Sequence, residues 1–388
     1  MKAAVIFVSL AILGCAAIWA QNSAKKTQEK SKPQTAPKSS LALDPTTMTA
    51  VERGARWLAS VQGADGGWGQ DGGDPSNVRQ SVALESQGND VANTALGALA
   101  LLRAGDKYRT NIERAVDFIL QRVEASPVNG LSITDTKQQT QVQRKLGPYI
   151  DTFLASMLLA QVDGIFAKSR NVRVRSGLEK CVAKIQNNQT KDGSWNVGGG
   201  WAPLLGTSLA SRSLYAAQQK GVAVSEKVLA QADDYTVKNQ QARESAPGAG
   251  FGDGKGVGAV TESVTVVAGA AGVMLYQDAQ ALEQLSRTPE SRQRNAQEIA
   301  KIHGKLSDSA FVEGYGSIGG EEFFSYLNIS DGLKRSGGKE WTDWYSKISQ
   351  KILKLQNADG TWAGHHCITG RVAVTSAAIL NLTANYDS

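Results

Sequence analysis

Two of the chain's three histidines stand together in His365-His366-Cys367, the one place in 388 residues where imidazole and thiol are adjacent. Both are good Zn²⁺ ligands, and a carboxylate from elsewhere in the fold would complete a three-ligand site with one position open. The carboxylates placed for that role are Asp151, Glu262, Glu321 and Glu322, each next to the start of an apolar run. The candidate metal set is therefore Glu322, His365, His366 and Cys367, and all seven residues form the candidate catalytic set. The same carboxylates have a second chemical use. Two carboxyl groups across a cleft hydrolyse glycosidic bonds, and Glu262 with Glu321 or Glu322 is the candidate pair. They also have a structural use, because acidic side chains in the first turn of a helix offset its macrodipole. His303 sits in an amphipathic run and reads as solvated.

The elements that must position these residues are set by a repeat. Gln62 to Trp68, Gln189 to Trp195 and Gln356 to Trp362 all read Q-x-x-D-G-x-W. Asp-Gly is a turn signal, since Asp bonds back to its own backbone and Gly accepts positive φ. An amphipathic run ends at each Gln, so Gln62, Gly66 and Trp68, Gln189, Gly193 and Trp195, and Gln356, Gly360 and Trp362 read as a structural clip closing a helix. The intervals between the tryptophans fit two helical hairpins and then three, which makes six units. Gly250-Phe251-Gly252 and Gly314-Tyr315-Gly316 keep the Gly-aromatic pattern, whereas Gly147-Pro148-Tyr149 has lost most of it.

Two kinds of helix alternate between these signals. Ile112, Ala115, Val116, Ile119, Leu120 and Val123 form one apolar stripe, as do Trp341, Trp344, Tyr345, Ile348, Ile352 and Leu355. The runs 47–62, 173–188, 225–240 and 289–306 are similar. A second kind is apolar or small nearly all round: Asn93–Leu102, Thr152–Ala160, Thr207–Ala217, Ser263–Leu275 and Val372–Leu382, with Phe323–Leu333 a more polar sixth. Helices of that composition are buried on most sides. Outer amphipathic helices alternating with enclosed ones predict an all-α fold, an (α/α)6 toroid of six helical hairpins over residues 46–388.

The Q-x-x-D-G-x-W repeats, each feeding an inner helix, resemble those of squalene and terpene cyclases and of protein prenyltransferase β-subunits, over about residues 47–385. The resemblance implies a central cavity faced by the N-terminal ends of the inner helices. It also implies where a class II cyclase would carry its Asp-x-Asp-Asp acid: here Asp90-Val91-Ala92-Asn93, in which Ala92 replaces the proton donor. Gln231-Ala232-Asp233-Asp234 is a near match on an outer helix. The resemblance therefore implies the fold without class II cyclase activity. Prenyltransferases hold Zn²⁺ with Asp, Cys and His at inner-helix starts, and the matching ends here are those of Asp151, Glu262, Glu321, Glu322 and His365-His366-Cys367. The alternatives to a ligand or metal site in the cavity are a glycan-active enzyme and a non-catalytic envelope scaffold. A pocket lined by Glu322, His365 and Cys367 would favour chemistry, and an axis plugged by Phe153, Tyr215, Phe323 and Phe324 would favour a structural role. Loops 69–90, 124–147 and 196–206 are candidates for the cavity rim.

Charge excludes nucleic acid as a partner. Six lysines against one glutamate give residues 1–43 +5 of the chain's +6, so no basic stripe remains to track phosphates. Lys2 followed by an apolar run to Ala20 reads as an export signal, residues 1–20, with Ile12-Leu13-Gly14-Cys15 similar to a lipoprotein processing box. Cys15 is the candidate lipidation site. An uncleaved anchor and ordinary cleavage near Ala17 or Ala20 are the rivals. Residues 21–45, rich in Lys, Gln, Ser, Thr and Pro, read as a disordered tether. The expected setting is the periplasm or cell envelope, with the membrane reached through the N-terminus only. The expected partner is a small molecule or an envelope protein.

Overall fold

The structure is a computed structural model that describes residues 44–72, 88–135, 140–195, 203–245, 259–261, 264–266, 271–313 and 319–385. These fall in one compact unit, Ser40–Ser388. The export signal with Cys15, nearly all of the tether, Glu262 and both Gly-aromatic-Gly triplets lie outside the described residues. Among the described residues no helix is long and apolar enough to cross a membrane.

Six enclosed helices form the inner ring: α2 (Val91–Ala104), α5 (Ile150–Val162), α7 (Pro203–Gln219), α9 (Ala271–Leu285), α13 (Gly320–Ser336) and α15 (Arg371–Leu382). Each packs on the next, and α15 packs back on α2, so the ring closes. The outer members are α1 (Pro45–Ser60), α3 (Arg109–Ala125), α6 (Lys168–Asn187), α8 (Glu226–Ser245), α10 with α11 (Pro289–Arg294, Ala296–Leu306) and α14 (Gly338–Lys354). Short helices α4 (Gln141–Leu146) and α12 (Ser309–Glu313) fill connections. The fold is the all-α toroid of six helical hairpins. One feature departs from the sequence pattern: two short strands, β1 (Ala259–Thr261) and β2 (Val264–Val266), pair antiparallel ahead of α9. The run Ser263–Leu275 is therefore not one helix. The β-branched residues Val260, Thr261, Val264, Thr265 and Val266 favour a pleated ribbon over a helix.

Burial follows the two patterns. Every residue of α2 from Val91 to Leu101 is buried, whereas α14 buries only Trp344, Ile348, Ser349 and Ile352. His303, on α11, is half-buried rather than solvated; burial holds its pKa below the ordinary value, with the Glu340 charge opposing.

The three Q-x-x-D-G-x-W copies make one set of contacts three times. Gln62 Nε2 donates to Gly66 O (2.8 Å) and to Asn111 O on α3 (2.9 Å). Gln189 Nε2 does the same to Gly193 O (3.0 Å) and Val228 O on α8 (2.8 Å). Gln356 Nε2 reaches Gly360 O (2.9 Å) and Ala50 O on α1 (2.8 Å). Each indole donates to a carbonyl ten residues earlier: Trp68 to Leu58, Trp195 to Ile185, Trp362 to Ile352. Each Trp N–H donates to a threonine hydroxyl on the following inner helix: Thr94, Thr207 or Thr375. The clip thus ties an outer helix to its own inner helix and to the next outer one. The third copy reaches α1, joining the last hairpin to the first.

The motif glycine has φ near +90° in all three copies. A Cβ on Gly193 would stand 2.7 Å from the Gln231 carbonyl carbon of α8, so the turn lies directly against the neighbouring helix.

Candidate functional site

The N-terminal ends of the inner helices gather the polar side chains, but in two separate groups. Glu321 and Glu322 both lie in the first turn of α13, where the 100° step between neighbours sends them different ways. Glu322 Oε2 accepts from Gly319 N (2.8 Å) and caps the helix. Glu321 turns toward the loop before α15, where His366 Nδ1 stands 3.3 Å from its Oε1. Ligand atoms of Glu321, His366 and Cys367 all lie within 4.8 Å of one another. His365 is exposed and takes no part. The set that geometry brings together is thus Glu321, His366 and Cys367, with Glu321 in place of Glu322.

Three observations test whether this group suits a cation. Glu321 is 3% exposed, yet neither of its carboxylate oxygens accepts a hydrogen bond of good geometry. A Cβ on Gly319 would stand 2.6 Å from His366 Nδ1, so the cradle exists only because that residue is glycine. Cys367 has φ +54°, the one non-glycine residue with positive φ among those described, and such strain costs of order 1–3 kcal/mol. Burial, then the neighbouring Glu321 carboxylate, pushes the Cys367 thiol up to about 12. Carboxylate, imidazole and thiol in that arrangement fit a divalent zinc-type ion.

The second group is Asp151 with Asp90. Asp151 is 3% exposed; its Oδ2 accepts from Thr134 Oγ1 (2.6 Å) and its oxygens from Gln143 Nε2 (2.9 and 3.0 Å). Asp90 caps α2, accepting from Asn93 N (2.9 Å) and Asn93 Nδ2 (2.8 Å). The Ala92 N–H lies near enough to both carboxylates to favour their charged forms slightly. Loss of hydration first, and the Asp151 charge second, push Asp90 up to about 7. Asp151 is also raised by burial. Asp151 therefore belongs with Asp90 and not with the His366 group. Asp90 was legible as the cap of an apolar run.

A cavity of about 330 Å³ lies on the ring axis, and its walls hold none of the seven candidate residues. Leu146 of α4 and Ile150 lie at its N-terminal end. Exposed Arg103, Gln161, Gln219 and Lys220 mark its mouth at the C-terminal ends of the inner helices. The axis is neither plugged nor lined by Glu322, His365 and Cys367. Tyr215 and Phe324 form part of the wall, while Phe153 and Phe323 do not. The described parts of loops 69–90 and 124–147 lie at the other end.

The wall toward α9 carries charge. Glu283, fully buried, accepts from Arg287 Nε (3.2 Å) and Nη2 (2.6 Å) and from Arg335 Nη2 (2.9 Å). Burial alone would raise its pKa, but Arg287, Arg335 and Arg212 outweigh it and hold the carboxyl well below the ordinary range. Arg212 donates to Asn328 Oδ1 (2.7 Å) and pairs with Asp331. Both cysteines of the described residues, Cys181 and Cys367, are free thiols.

Comparison with known proteins places these features. Residues 38–130, about a quarter of the chain, match the squalene-hopene cyclase C-terminal domain. That stretch contains the first clip, and its repeat is of the terpene cyclase-like type. No curated protein matches the chain. The GH76A α-1,6-mannanase from Salegentibacter sp. HEL1_6 superposes with a TM-score of 0.53 at 10% identity, over 87% of this chain and 98% of that one. This likeness is one of fold. The type II terpene cyclase MstE from Scytonema gives a TM-score of 0.48 at 12% identity, over 87% and 98%.

Proposed function

From the terpene cyclase-like repeat toroid as premise, we propose that this chain is a metal-dependent protein that binds one Zn²⁺ through Glu321, His366 and Cys367. The observation that carries the reading is the buried Glu321 carboxylate, which accepts no hydrogen bond of good geometry yet lies within ligand distance of an imidazole nitrogen and a thiol. Three protein ligands leave one position for water or substrate, which is the arrangement of catalytic rather than structural zinc. A zinc ion so held supplies Lewis acidity and lowers the pKa of whatever oxygen or sulfur occupies that position.

The chain's own residues do the positioning. Gly319 keeps the cradle open, and Glu322 fixes the first turn of α13 by capping it, so that Glu321 is aimed at the α15 loop. Half-buried His366 and Cys367 keep the group within reach of solvent. Proton-initiated polyene cyclisation is not part of this reading, because Ala92 cannot donate a proton and Asn93 is spent on Asp90. A non-catalytic scaffold has no observation of its own in the site.

The test is elemental analysis of the full chain purified without chelator. One zinc per chain is expected, lost in His366→Ala and in Cys367→Ser and retained in His365→Ala. A chain with no stoichiometric metal, or a His366→Ala variant that keeps it, overturns the reading.

A further inference from the structure

The axial cavity is amphipathic across its bore rather than along it. Helices α2, α5 and α15 present Leu99, Leu154, Met157 and Leu380. Helices α7, α9 and α13 present Arg212, Tyr276, Gln280 and Asn328. Cations at helix C-termini offset the macrodipole, which accounts for Arg103, Lys220 and Lys334 around the mouth. Lys334, for example, donates to Ala384 O at 2.7 Å. Arg212 has no such explanation. It is mid-helix and the only charged residue of α7. Its partners Asn328 and Asp331 belong to α13, which is separated from α7 in the ring by α9. The guanidinium therefore reaches across the bore.

The wall behind it is incompletely paired. Tyr276 and Gln280, one turn apart on α9 and each 1% exposed, face each other in a contact too poorly aligned to satisfy either. Apart from this contact, no group among the described residues bonds the phenol oxygen or either polar atom of the amide, all of them buried. Buried polar atoms are nearly always well paired, so a poorly satisfied phenol and carboxamide beside a cavity mark a place for a polar group that comes from outside. A guanidinium, a phenol and a carboxamide are all donors, and together they suit an oxyanion.

We propose that the bore binds a small apolar monocarboxylate, whose carboxylate replaces Asp331 on Arg212 and accepts from Tyr276 and Gln280 while its hydrocarbon lies on α2, α5 and α15. A single negative charge fits better than a polyanion because Glu283 already occupies Arg287 and Arg335. Asp331 is a partly exposed counterion, and so a replaceable one. Size limits the hydrocarbon. The volume of about 330 Å³ is near the lower end for ligand pockets. One medium-length chain fits; a two-chain lipid does not. Metal binding at the other end of the ring is a separate property, and either reading survives failure of the other.

The test is calorimetric titration of the full chain with decanoate and, as the uncharged control, decan-1-ol. Decanoate is expected to bind one per chain, about tenfold tighter than decanol, the difference made by charge-assisted hydrogen bonds. Arg212→Gln and the shape-preserving Tyr276→Phe each weaken decanoate by about tenfold or less and leave decanol unchanged. Asp331→Asn strengthens decanoate, because it removes the competing carboxylate. No one-to-one binding of decanoate, equal affinity for the two probes, or weaker decanoate binding by Asp331→Asn would overturn the proposal.

Discussion

Replacing Gly193 by alanine tests whether the clip turn presses against the neighbouring hairpin. Two costs add. The backbone there has φ +91°, and an L-residue in left-handed space costs about 1–2 kcal/mol. The new Cβ would also lie 2.7 Å from the Gln231 carbonyl carbon, and overpacking against backbone costs about 1–3 kcal/mol. The sum is about 2–5 kcal/mol. At roughly 2 °C per kcal/mol for a domain of this size, the melting temperature should fall by about 4–10 °C. Gly221 supplies the control. It has φ +73°, and a Cβ there would meet nothing within 4 Å. Gly221→Ala carries the backbone cost alone, about 2–4 °C. The assay is thermal denaturation of both variants, followed by circular dichroism. If Gly193→Ala loses no more than Gly221→Ala, the turn does not bear on α8 and the clip is not what couples successive hairpins.

Glu283→Gln leaves Arg287 and Arg335 without their shared counterion and should cost about 3–5 kcal/mol in urea unfolding. The folded carboxyl titrates below its unfolded value, so its contribution is present above about pH 4.5 and is lost as the pH falls toward the depressed value. Asp90 has the opposite sign. Its folded pKa of about 7 lies above the unfolded value of 3.8, so its contribution is full below that value and is lost as the pH rises to about 7. Melting temperature against pH should accordingly fall over that window in the parent chain and flatten in Asp90→Asn. A parallel decline in both proteins would show that the Asp90–Asp151 pair is not its source.

The ring was legible because its signals are local and repeated. Gln, Asp, Gly and Trp sit at fixed spacing in each clip, and all-round Ala and Leu in α2 and α5 leave no surface for water. The β1–β2 pairing was not legible from hydrophobicity alone, since Val264 to Val266 continue an apolar run in either conformation. Glu321 and Glu322 are equivalent in sequence, and only the backbone of α13 decides which one meets His366. Asp151 was placed with the wrong partners because its companion Asp90 lies in another hairpin, 61 residues away. The polar wall of the bore had a signal that hydrophobic patterning passes over. Arg212 is a single charge in an otherwise uncharged helix, and such a residue needs either a partner across the ring or a ligand.

The third clip has a consequence for synthesis. Its glutamine fastens onto a carbonyl 306 positions upstream, so at 5–20 residues per second the amino-terminal hairpin must wait roughly 15–60 s for its last neighbour to emerge. During that interval the nascent protein is an open arc with two raw edges, on α1 and on the newest helix to leave the ribosome. Shielding those edges is then a task for chaperones or for rapid completion, and a chain cut short before Gln356 would keep both of them bare.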